Sequence, residues 1–238
     1  KPNISGELKE LPRLLTHLQL RGNTISISGD VADLPRKLNY VYLSTDTVSK
    51  TTGNVADLPR GLTDIRLYNL VEGFTGDIKD LPSNLTSILM AGTNFNIYGD
   101  IKNAPSNLLT LQISGNSTIT GNIADIPRTI KTITLNPDSN IYGNLSEMPP
   151  TIGYFILYSK KNGEKITGDI GDIPNKSVVN LALYGNIDIT FDKEFPLSSG
   201  FYGFRLTPDA NFPIDSSTID KILIALDAKA GIITGTRF

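Results

Sequence analysis

The sequence predicts an α/β-type repeat solenoid, mostly β, whose short coils stack through parallel strands. Three observations predict it. Glycine recurs every 22 to 25 residues, at Gly6, Gly29, Gly53, Gly76, Gly99, Gly121, Gly143 and Gly168. A proline stands six positions after each one, at Pro12, Pro35, Pro59, Pro82, Pro105, Pro127, Pro149 and Pro174. Between these marks the same apolar columns return, and self-similarity at a fixed period of this length is the signature of a stacked array.

Each coil supplies about half a dozen apolar positions. In the first coil these are Ile4 and Leu8 around the glycine, Leu11 before the proline, and Leu15, Leu18 and Leu20 after it. The last coil carries a one-residue insertion and ends on Val178, Leu181 and Leu183. A single coil cannot close a core from so few side chains, so the coils must stack to share one. The x-L-x-L portion alternates with period two and predicts a strand of a parallel sheet. The I-x-G-[DN]-[IV] portion alternates as well and predicts a second short strand per coil. Its glycine suits close approach between coils, and the proline fixes φ where no ladder N–H is needed.

The stretch LQISGNSTITGNIADIPRTIKTITL at 111–135 resembles the leucine-rich-repeat consensus L-x-x-L-x-L-x-x-N. Asn23, Asn116 and Asn186 fall at or near the asparagine position, with Asp46 and Asp138 as substitutes. The I-T-G-[DN]-I phrase resembles plant-type repeats, and the phrase at 81–88 is more similar to bacterial effector repeats. The resemblance spans residues 1–187 as eight coils. It implies a parallel sheet on the concave face of a right-handed solenoid and a non-catalytic role in binding or structure. The overall likeness is to repeats of phage tail-associated or bacterial surface proteins. That implies a virion, extracellular or cell-surface setting and a protein or glycan ligand.

Residues 188–238 depart from the repeat and are expected to form a C-terminal cap. Phe191, Phe195, Phe201, Tyr202, Phe204 and Phe212 suit covering the last coil. A helix near 216–229, capped by Ser216 or Ser217, carries Ile219, Ile222, Leu223 and Leu226 at helical spacing. The first coil begins almost at once, without an initiator Met or leader, so the chain is expected to be processed or a fragment. Its open N-terminal edge, with Ile4 and Leu8, is then a candidate docking or oligomer contact, and a purely structural assembly subunit is the alternative function.

Composition narrows the chemistry. A formal net charge of −2 over 238 residues offers no footprint for nucleic acid. No apolar run approaches the ~20 residues of a membrane-spanning helix. Cysteine is absent and His17 is the one histidine, so thiolate sites and a histidine paired with a cysteine or a second histidine are excluded. Phosphate-loop, G-x-S-x-G and H-E-x-x-H motifs are lacking too, so no enzyme and no cofactor is expected.

An acidic row stands four residues after each glycine: Glu10, Asp33, Asp57, Asp80, Asn103, Asp125, Glu147 and Asp172. It is expected to cap the proline turns through backbone N–H groups, with Arg13, Arg36, Arg60 and Arg128 interleaved among the carboxylates. A calcium ladder on Asp33, Asp57 and Asp80 is the alternative, with no other metal expected. The candidate binding surface is the outward face of the main sheet. Early coils place His17, Gln19, Arg21, Tyr40, Tyr42, Asp64, Arg66 and Tyr68 there, and late coils place Tyr154, Tyr158 and Tyr184. Tyrosine and arginine are enriched in binding hot spots.

Overall fold

The computed structural model describes residues 4–22, 25–45, 50–68, 73–160, 163–175, 178–193 and 203–208. In each coil a strand holding the I-x-G phrase runs into one 3-10 turn, the proline redirects the chain, and a second strand follows. The first kind comprises β1 (Ile4–Glu7), β3 (Ile25–Asp30), β5 (Thr51–Asn54), β7 (Phe74–Asp77), β9 (Phe95–Asp100), β11 (Thr118–Asn122), β13 (Asn140–Asn144), β15 (Ile166–Asp169) and β17 (Ile187–Thr190). The second comprises β2 (His17–Gly22), β4 (Tyr40–Thr45), β6 (Asp64–Tyr68), β8 (Ser87–Ala91), β10 (Thr110–Ile113), β12 (Thr132–Thr134), β14 (Tyr154–Ser159), β16 (Asn180–Gly185) and β18 (Gly203–Pro208). Odd strands form one parallel sheet and even strands another, each in chain order. The architecture is a leucine-rich-repeat-type solenoid.

Its core is continuous. Ile78, Leu81, Leu85 and Ile88 of one middle coil are buried together and join the same cluster as the coils on either side. The first coil is looser: Leu11, Leu15 and Leu20 are partly buried, and Ile4 stays 50% exposed.

The even strands pair equivalent positions, Leu18 with Val41 with Ile65. The odd strands instead slip by two residues per coil, so Gly53 lies opposite Phe74 and Gly76 opposite Ile97. That slip explains the glycine. Gly76 adopts φ +141°, and a Cβ there would overlap Val55 Cγ2 and sit 2.6 Å from Asn54 Oδ1 of the preceding coil. Glycine alone tolerates both the positive φ and the approach.

The capping expectation is corrected. From the second coil on, the side chain that caps the turn follows the glycine directly: Asp30 Oδ1 accepts the Ala32 N–H at 2.8 Å, Asn54 that of Ala56 at 2.9 Å, and Asp77 that of Lys79 at 3.0 Å. An N-cap oxygen reaches the free N–H groups at a turn's start. Asp33, Asp57 and Asp80 stand at its end, where the next N–H is bonded within the turn and the following proline has none. Glu10 and Glu147 are the exceptions, reaching back to the N–H groups of Glu7 and Asn144.

The arginines do not interleave with carboxylates either. Arg13 donates from Nη1 to the Asp33 carbonyl at 2.7 Å and from Nη2 to the Lys9 carbonyl at 2.8 Å. Arg36 and Arg60 repeat this on Asp57 with Ala32 and on Asp80 with Ala56. Each guanidinium thus staples its own coil to the next through backbone oxygens.

Two further expectations change. Asp138 is exposed, and the side chain reaching back to the previous coil is the buried Asn136, whose Nδ2 donates to the Gly115 carbonyl at 2.6 Å. Asn186 makes the equivalent bond to Gly163 at 2.8 Å, while Asn23 and Asp46 lie outside the described residues. Eight glycine–proline pairs also predict eight coils, yet parallel pairing continues past residue 187 through β17 and β18. That ninth rung lacks the marks because a ladder requires only alternation: Ile187 and Ile189 point inward, Asp188 and Thr190 outward. Phe191 packs partly buried against the core. The helix expected near 216–229, together with Phe195, Phe201, Tyr202 and Phe212, lies outside the described residues.

Candidate functional site

The outward side chains of the even strands build the candidate surface, since alternation sends every second residue away from the core. Register places Tyr40 between His17 and Asp64, and Tyr42 between Gln19 and Arg66. Side-chain contacts depart from this row order. The His17 and Tyr40 rings pack with centres 6.1 Å apart, and Thr16 Oγ1 lies 3.0 Å from His17 Nδ1. Tyr42 leans diagonally: the Arg21 guanidinium carbon lies 4.9 Å from its ring centre, and the Tyr68 ring is 5.6 Å away at 40°. Arg21 and Tyr68 both flank Ser44, whose small side chain lets them close over Tyr42.

Arg66 is taken by Asp64, two residues back on the same face, through Nε–Oδ1 and Nη2–Oδ2 bonds of 3.0 Å each. That hydrogen-bonded pair raises the arginine's pKa above its ordinary value. Burial, and then the neighbouring Tyr42, push the Tyr68 phenol up, which keeps it neutral and able to donate. Gln19 stands exposed on its strand.

The late tyrosines form a separate cluster. Tyr158 and Tyr184 stack with centres 4.5 Å apart and planes at 12°. Arg205 Nη1 donates to the Tyr184 hydroxyl at 3.4 Å. Tyr154 stands half-buried between Thr132 and Asn180. Period counting missed Arg205 because it sits on the unmarked ninth rung; the alternation around it was the available signal. Between the clusters, β8, β10 and β12 present small or plain groups, and Thr134 Oγ1 is buried there without a hydrogen-bond partner among the described residues.

Nothing assembles the calcium alternative: among the described residues no three His, Asp or Glu side chains form a group that could hold a metal ion. Among them, too, no helix is long and apolar enough to cross a membrane.

No family model matches the chain, and neither does any curated sequence. Among solved structures it is similar to the crystal structure of PEPR1-AtPEP1, with a TM-score of 0.47 and 17% identity over 87% of this chain and 40% of that one. It is also similar to the plant peptide hormone receptor RGFR1 in complex with RGF2, with a TM-score of 0.28 and 15% identity over 92% of this chain and 53% of that one. The chain spans about half of these proteins or less.

Proposed function

We propose that this chain is a non-catalytic recognition module that binds a protein or glycan ligand on its even-strand sheet face. The observation that carries this reading is the Arg21–Tyr42–Tyr68 contact chain on a solvent-facing sheet. These side chains hold one another in place, so little rotamer freedom is left to lose when a ligand arrives. Their rings offer apolar faces with hydrogen-bonding tips, suited to a protein loop or a sugar ring. The setting proposed with it, a phage tail or bacterial surface, is supported by the resemblance of the repeat phrases.

A peptide-display library and a glycan array, probed with the chain and with a Tyr42→Ala, Arg66→Ala double variant, test the reading. The parent chain is expected to select ligands that the folded variant loses. Equal selection by both sinks the reading. A second reading, assembly through the N-terminal edge, is favoured by Ile4 at 50% exposure; Leu8, expected to share that edge, is instead fully buried in the core. It predicts that Ile4→Asp abolishes self-association or subunit docking in sedimentation and leaves ligand selection intact.

A further inference from the structure

One row of the even-strand sheet carries hydrogen-bond donors and no acidic group. Arg21 on β2 and Tyr68 on β6 pair from either side with Ser44 on β4, and Ala91 on β8 continues the row. Arg21 is exposed, and its guanidinium carbon lies 4.9 Å from the Tyr42 ring centre. No oxygen among the described residues accepts from Arg21, so its N–H donors stay free. Asp64, the one carboxylate on β2, β4 and β6, stands four residues before Tyr68, about 13 Å back along the strand. It is held there by Arg66, which gives it Nε and Nη2 at 3.0 Å each. Arg21 therefore brings a positive charge to the row that no carboxylate of these strands offsets. Both arginines act on the Tyr68 phenol, but burial and Tyr42 outweigh them and it stays a neutral donor.

Free donors beside an unpaired positive charge select an anion. A carboxylate suits this set, because a guanidinium takes its two oxygens side by side and the hydroxyls of Ser44 and Tyr68 can donate to either. The rings select its source. Arg21 and Tyr68 reach Tyr42 from the strands on its two sides, with the Tyr68 ring centre 5.6 Å away. Both flanks of that ring are thus taken by this chain's own side chains, and a sugar stacking there would need one of them. A protein ligand has no such need.

We infer that Arg21, Ser44 and Tyr68 form a subsite for an aspartate or glutamate carboxylate of a protein ligand. The inference rests on the recognition reading above and names the group that the face recognises. A displayed library of random loop peptides, selected against the full chain, tests it, with each enriched peptide then titrated as a synthetic loop. Enrichment of Asp and Glu is expected. Replacing the selected acid by its amide should weaken binding at least tenfold. Arg21→Gln should weaken the acidic peptide by a similar factor and the amide peptide little, so that the two losses do not add. Arg205→Gln should leave binding unchanged, since Arg205 Nη1 already donates to the Tyr184 hydroxyl at 3.4 Å. Thermal melts check that the variants fold, and the exchange on the peptide leaves the chain untouched. Peptides without acids, losses that add in full, or an Arg205→Gln loss as large as that of Arg21→Gln overturn the inference. Selection of acidic sugars on the glycan array in place of peptides does so too. If Tyr42→Ala with Arg66→Ala still abolishes binding in any of these cases, the recognition face survives without the subsite. If that double variant binds as the parent does, both fall.

Discussion

Gly76 and Gly61 both belong to the repeat, but the fold asks different things of them. Gly76 has positive φ and no room for a Cβ, whereas a Cβ on Gly61 would meet only the Leu38 carbonyl at 3.6 Å. Gly76→Ala should therefore cost about 2–4 kcal/mol through strain and overlap. Gly61→Ala should be neutral or stabilising by about 0.4–1 kcal/mol, because the unfolded chain loses freedom. Denaturant melts of the two variants decide it, and equal losses would show that the coil-to-coil approach is not what selects Gly76. Residue type was a good guide here, since a glycine at a fixed period has few reasons to persist. It was a poor guide for Asp33 against Asp30. Both can cap, and only the location of the free N–H groups, a property of the three-dimensional turn, separates them.

At the scale of elements, the arginine staple is present after Pro12, Pro35, Pro59 and Pro127 and missing where Ser83 and Ser106 follow the proline. Ser83→Arg should reach the Lys79 and Asn103 carbonyls and stabilise by about 0.5–1.5 kcal/mol, and Arg36→Met should lose a similar amount. An unchanged melting temperature in both would mean that water serves those carbonyls equally well. The junction to the ninth rung has its own lock. Burial pushes the Asp169 carboxyl up, but hydrogen bonds from the Thr190 hydroxyl and the Gly171, Asp192 and Lys193 N–H groups outweigh it and hold the pKa below its ordinary value. A lowered folded pKa gives stability that is present above the unfolded value and is lost as pH falls through the folded one. Asp169→Asn should thus be less stable than the parent near neutrality, and the difference should shrink as pH drops below about 4. A difference constant with pH would rule the carboxylate out. Alternation made the strands legible in the sequence, and with them the outward placement of His17, Tyr40, Tyr42 and Tyr68. The diagonal contacts of Tyr42 were not legible, because side-chain lean follows neighbour size and not register.

For the whole molecule, a shared core means that the cost of a cavity depends on its place in the stack. Leu85 is fully buried between neighbouring coils, whereas Leu15 in the first coil is only partly covered. Leu85→Ala should cost about 2–5 kcal/mol, and Leu15→Ala well under that. Similar losses in equilibrium unfolding would indicate that further chain or a partner covers the first coil in solution. The solenoid itself was fully legible from period and pattern, since each coil repeats the same argument. The ninth rung and the second tyrosine cluster's arginine were not, because their pairing is supported by the coil beneath and not by a mark of their own.

The slip of the odd strands shears one flank of the stack against the other. On the odd side, equivalent atoms of successive coils are separated by the strand spacing, about 4.8 Å, and by two residues of slip at right angles, about 6.6 Å, which together make about 8 Å. On the even side no slip occurs, and the step is the spacing alone. The slip lies across the stacking direction, so both flanks rise by the same strand spacing and differ only in lateral offset. Each coil is therefore displaced along its strands on one flank and not on the other, which turns it slightly relative to the coil beneath. An array extended in this way winds and does not simply lengthen as a straight rod.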